Sequence, residues 1–221
     1  MVIVDSGSGA VQRRRTWILG GALLVASALV QLAQGALAPL YRASDWLFAA
    51  GALLLVIGIG RAGSVTARRP LGTGAVIALV VVQLVAPYVA SVVLPATEGR
   101  VVPLRSQVSI GEIFFWTQLT VVFMLAMIGA TQIARVGVVP RPWNWAPLWA
   151  LGTVTLAFLI PNAPFWSPLF SSGEDVSGLL AVFRAFGLVR PLAVVFLGIL
   201  AIVLGVRSES GSVPVYSSAN S

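Results

Sequence analysis

The sequence predicts an all-α polytopic membrane protein: a bundle of six transmembrane helices with a short interfacial helix before the last span. Three observations predict it. Of 221 residues, 58% are hydrophobic and 10% charged, with a mean hydropathy of +0.96; an ordinary soluble domain is about 25% charged. Six apolar stretches approach the ~20 residues that a helix needs to cross a ~30 Å hydrocarbon core. Finally, all 14 basic residues are arginine, and their placement along the chain is one-sided.

Residues 1–15 form a short polar N-terminal segment ending in Arg13, Arg14 and Arg15. The first span covers about 16–38. It resembles a signal peptide in its basic flank and in the A-x-A triplet Ala36-Leu37-Ala38, and its arginines carry a faint twin-arginine flavour. Its apolar run is too long for a usual leader, and Pro39 follows the A-x-A site, so the segment is expected to be retained as a helix. The second span, about 45–60, is near the lower length limit. The third, about 71–94, contains Pro87 four residues after Gln83, which frees the carbonyl of residue 83 and favours a kink. The fourth span is about 110–133. The fifth, about 143–160, is expected to stop at Pro161. The long connection that follows is broken by Pro161, Pro164 and Pro168. From Ser172 its acids Glu174 and Asp175 suit a helix start, and Val176, Leu179, Leu180, Phe183 and Phe186 favour a helix lying flat at the outer leaflet. The sixth span is about 188–206, and 208–221 is a Ser/Gly-rich tail expected to be disordered.

Arginine placement sets the orientation. With the N-terminus inside, nine of the arginines but only Asp5 and Glu209 among the acids fall on the cytoplasmic side. The outer side holds five arginines balanced by Asp45, Glu98, Glu112, Glu174 and Asp175. The whole net charge of +7 therefore lies on one face. This predicts a multi-pass protein of the cell membrane with both termini cytoplasmic. Topology accounts for the charge, so no nucleic-acid partner is expected. The expected partners are the lipid bilayer and either further copies of the chain or another membrane protein. Arginine-only basic usage with Ala/Val/Leu/Gly-rich spans suggests a GC-rich bacterial genome. The tryptophans fit interfacial anchoring: Trp17, Trp143, Trp145 and Trp149 near inner boundaries, Trp46 and Trp166 near outer ones. Only Trp116 falls well within a span.

His, Cys and Lys are absent. Their absence removes the commonest ligands of zinc, haem and iron–sulfur clusters, thiol nucleophiles and Ser–His pairs, and Schiff-base lysines. No catalytic, cofactor-binding or metal-binding residues are therefore assigned, and no cofactor is expected. The polar intramembrane positions that remain as candidates are Gln31, Gln34, Gln83, Glu112, Gln118 and Thr120. Ser27, Gln31 and Gln34 share one helix face and suit interhelical hydrogen bonding. Small residues at Gly20, Gly21, Ala22, Ala26, Ala49, Ala50, Gly51, Gly129 and Ala130 allow close helix approach.

Three functions compete. The first is a non-enzymatic accessory or structural membrane component. The second is a small-molecule or ion transporter or channel that would use the glutamine faces. The third is a membrane-embedded lipid-modifying enzyme, for which Glu112, Glu174 and Asp175 are the available acids. The scarcity of intramembrane ionisable groups, which usually mark transport or catalysis, favours the first.

Glu112 separates these readings. Ser109-Ile110-Gly111-Glu112 reads as a capping box at a helix start, where the dipole favours a carboxylate. Glu112→Gln is expected to lower stability by only about 0.5 kcal/mol and Glu112→Ala by about 1 kcal/mol, read from thermal unfolding in detergent, with cellular function kept in the Gln variant. Loss of function in a normally folded Gln variant would instead make Glu112 a proton or cation site.

Overall fold

A computed structural model describes residues 6–33, 41–59, 63–67, 69–93, 110–166 and 184–207. Among them are helices and no strands. They are α1 (Ser6–Leu32), α2 (Tyr41–Ile57), α3 (Pro70–Val93), α4 (Ile110–Val136), a 3-10 turn at Trp143–Trp145, α5 (Ala146–Trp166) and α6 (Val189–Arg207), the last led in by a helical turn at 184–187. Five of the helical stretches are long and apolar enough to cross a membrane. The remaining helix, α2, has 17 residues, about 26 Å at 1.5 Å each.

The helix ends differ from the apolar runs in ways the backbone explains. Helix α1 begins at Ser6, ten residues before the run, because arginine is a good helix former and residues 6–15 hold no proline. Helix α2 starts at Tyr41 and ends where Gly58 takes φ +73, a left-handed C-terminal position that suits glycine. Gly137 ends α4 in the same way, also at φ +73. Helix α5 does not stop at Pro161 but runs on to Trp166. In an apolar setting, leaving the helix exposes several backbone groups, whereas a proline forfeits one hydrogen bond. Most of the expected interfacial helix, the expected capping residue Ser109 and the expected disordered tail lie outside the described residues.

Each helix packs on its sequence neighbour, and α6 packs on α1, so the six form a closed ring. The contacts of α1 with α2 and α6 are the most extensive. Glycines make them close. A Cβ on Gly20 would sit 2.6 Å from Leu55 Cγ, and one on Gly51 would sit 3.0 Å from the Gly20 carbonyl. On the adjoining face of α1, a Cβ on Gly21 would lie 2.5 Å from the Gly198 carbonyl, and one on Gly198 would lie 2.7 Å from the Gly21 carbonyl. Neighbouring helices run antiparallel. Thr16 of α1 meets Ile59 just beyond α2, and Trp17 meets Gly205 of α6. At the opposite end of the bundle, the Arg42 guanidinium lies 5.6 Å above the Tyr88 ring. There too, Phe158 of α5 packs on Phe115 and Trp116 of α4, each pair with centroids 6.3 Å apart.

This packing predicts an asymmetry among glycines. Gly21→Val must push backbone against backbone, and the expected loss is about 3 kcal/mol, the upper range for overpacking. Gly74 has nothing within 4 Å of a built Cβ, so Gly74→Ala is expected to raise stability by roughly 0.5 kcal/mol through its better helix propensity. Thermal unfolding of both variants in detergent checks the difference in sign.

Candidate functional site

The ring lines a half-open chamber. Its volume is about 200 Å³, and all six helices contribute to its wall. Leu24 of α1, Phe48 of α2 and Leu197 of α6 line it near mid-helix; Val65, Val139 and Trp143 line it beyond the helix ends. Along α6 the wall runs from Leu197 to Leu204, roughly 10 Å of helix. All 16 wall residues are Trp, Phe, Leu, Ile, Val, Ala or Pro. Such a space takes up apolar matter and repels water.

A polar cluster lies beside the chamber where α1, the end of α2 and the 63–67 turn meet. Thr16 is fully buried; its hydroxyl donates to Gln12 O at 2.9 Å and accepts from the Ile59 N–H at 2.9 Å. The Trp17 indole N–H donates to Gly63 O at 3.1 Å. Ser64 Oγ donates to Val56 O and lies 3.1 Å from Thr66 Oγ1, which is 2.8 Å from Thr73 Oγ1 on α3. The Val65 N–H reaches back to Leu55 O at 3.0 Å. A chain leaving a helix must satisfy its freed backbone groups, and these hydroxyls do so inside the protein. Gly63 is required here: a Cβ on it would stand 2.6 Å from Thr16 Oγ1.

The sequence-predicted polar positions lie elsewhere. Gln31, Gln83 and Gln118 are half-buried on α1, α3 and α4, and none is on the chamber wall. Glu112 is exposed in the first turn of α4, at the end away from the polar cluster. Gln34 falls outside the described residues. Thr120 is exposed, and its hydroxyl donates to Trp116 O at 2.8 Å within its own helix. Ser27, fully buried, likewise donates to Leu24 O at 2.8 Å rather than across to another helix. Short hydroxyl side chains can close onto the preceding turn, which removes the need for an interhelical partner. Trp17 is also not an interfacial anchor. It is 3% exposed and forms part of the chamber wall. The sequence signal for that role was the GG pair three residues on, which lets neighbouring helices close over the indole.

Compared with known proteins, the chain matches no family model, no curated protein and no solved structure. The site is therefore read from its own chemistry. Its two parts divide the labour: the hydroxyl cluster fixes the turn and seals the α1–α2–α3 side, while the apolar wall leaves space beside it. Near the 3-10 turn, Asn144 is buried and its Nδ2 donates to Ala134 O at 3.0 Å, pinning the α4–α5 connection.

The cluster makes a graded prediction. Thr16→Val removes the acceptor of a part-buried N–H, so stability should fall by about 1–3 kcal/mol. Thr16→Ser keeps the hydroxyl and gives up one methyl, an expected loss of about 0.8 kcal/mol. Thermal unfolding in detergent that ranks the two equally would remove the hydroxyl from the account.

Proposed function

We propose that the protein is a six-span component of the cell membrane, with both termini in the cytoplasm and an accessory, non-enzymatic role. The observation that carries this reading is the ring itself, in which all six helices wall one apolar chamber. Helix α2 sits between α1 and α3 in that ring. Its 17 residues meet the lower limit for crossing, and a helix flanked on both sides by spanning neighbours crosses with them. The described charges support the orientation: Arg13, Arg14, Arg15, Arg69, Arg135, Arg141 and Arg207 share the end that carries the hydroxyl cluster, while Arg42, Arg184 and Arg190 sit at the other with the described acids Asp45 and Glu112.

The wall's chemistry supports the non-enzymatic part. It offers hydrocarbon and indole surface, which neither abstracts a proton nor attacks an ester. A hydrophilic pathway needs polar partners along its length, and the described glutamines stand off the wall. Reporter fusions test the topology: those after Thr66 and Arg141 are expected to read cytoplasm, and those near Thr97 and Ser172 the outside. A cytoplasmic signal at Ser172 overturns six spans. Vesicles containing the purified protein are expected to leak protons and potassium no faster than protein-free vesicles. A protein-dependent flux would replace the accessory reading with transport.

A further inference from the structure

Two features of the chamber bear on what fills it. Among its wall residues Trp143 is the most exposed, at 38%, and the half-open chamber meets the surface at that end. Trp145 and Trp149 beside it are also exposed, and indoles settle at headgroup level in a bilayer. From that level the wall descends to mid-helix at Leu24 and Phe48. The opening lies at the arginine-bearing end. Arg69 follows wall residue Val65 by four positions, and Arg141 stands between Val139 and Trp143; both arginines are exposed, whereas Arg135, two positions past Ile133 on α4, faces away from the wall. Among the described residues that end carries no acid.

An apolar shaft that opens at headgroup level under a cationic rim matches a molecule with a hydrocarbon chain and an anionic head. We propose that the chamber binds the headgroup-proximal part of one acyl chain of an anionic membrane phospholipid, whose phosphate lies by Arg69 and Arg141. The inference rests on the membrane-spanning reading and gives it a ligand. The chain removes the void, the wall replaces bulk lipid around it, and guanidinium groups pair with phosphate oxygens through paired N–H donors. The cytoplasmic leaflet supplies such lipids on the side that the arginine distribution faces.

The test uses the full chain in lipid nanodiscs of equimolar phosphatidylglycerol and phosphatidylcholine with identical acyl chains. The protein is extracted in mild detergent and weighed by native mass spectrometry. One phosphatidylglycerol per chain is expected to stay bound, at least roughly tenfold in preference to phosphatidylcholine, since each nearby arginine contributes roughly fivefold. Arg69→Gln and Arg141→Gln are each expected to lower that preference roughly fivefold, and Arg135→Gln to leave it unchanged. Val76→Phe and Ala52→Leu, made separately, fill the shaft and are expected to remove the retained lipid while circular dichroism shows the native helicity. No retained lipid on the folded native chain overturns the proposal. So does equal retention of both lipids, or retention that persists in a folded filled variant, which would put the lipid on the outside of the bundle. A chain recovered outside the discs overturns the membrane reading and this proposal together, before any lipid is counted.

Discussion

Closure of the ring rests on a contact between two backbones. Gly21 and Gly198 bring α1 and α6 so near that each carbonyl occupies the space a partner Cβ would need. In lipid, helices gain little from burying apolar side chains against each other, because the surrounding tails are equally apolar. Close packing of small residues supplies the attraction instead. Helix α1 uses it twice, with Gly20 toward α2 and Gly21 toward α6. Because α1 holds both neighbours, its position sets the width of the chamber and the meeting point of α2 with the 63–67 turn.

The hydroxyl cluster is the polar counterpart of that packing. Where α2 ends at Gly58, the chain must turn and reach α3 with its backbone groups satisfied. Thr16, Ser64, Thr66 and Thr73 supply partners from three places in the sequence. The turn is therefore held by side chains of its own and by α1, a rigid base beside a space that has none. Polar order at one wall and apolar surface beside it are consequences of the same requirement, that nothing polar be left without a partner away from water.

The fold was largely legible because a membrane span is written as composition. Runs of Val, Leu, Ala and Gly mark the helices to within a few residues, as with α3 and α6. Helix ends were less legible. Nothing in an apolar run says that α5 carries on past Pro161, since the deciding factor is the cost of stopping. The glycine face of α1 could be read from the GG pair, but its partner Gly198 sits alone in an apolar stretch and gives no sign of the carbonyl it meets. The chamber was the least legible. The polar residues legible in the spans are glutamines, whereas the space is lined by side chains that look like ordinary span residues. Trp17 shows why: its burial depends on Gly63, 46 positions away, and only the folded ring brings the two together.

The Gly21–Gly198 contact also orders events in time. Helix α6 leaves the ribosome after the other five, and domains emerge N-terminal end first. Until α6 enters the membrane, the glycine face of α1 that receives it stands against lipid tails, and the ring is an open arc. The chamber therefore has no complete wall during synthesis. The wall is completed only when the last helix docks, so whatever the chamber holds, it can hold only in the finished chain.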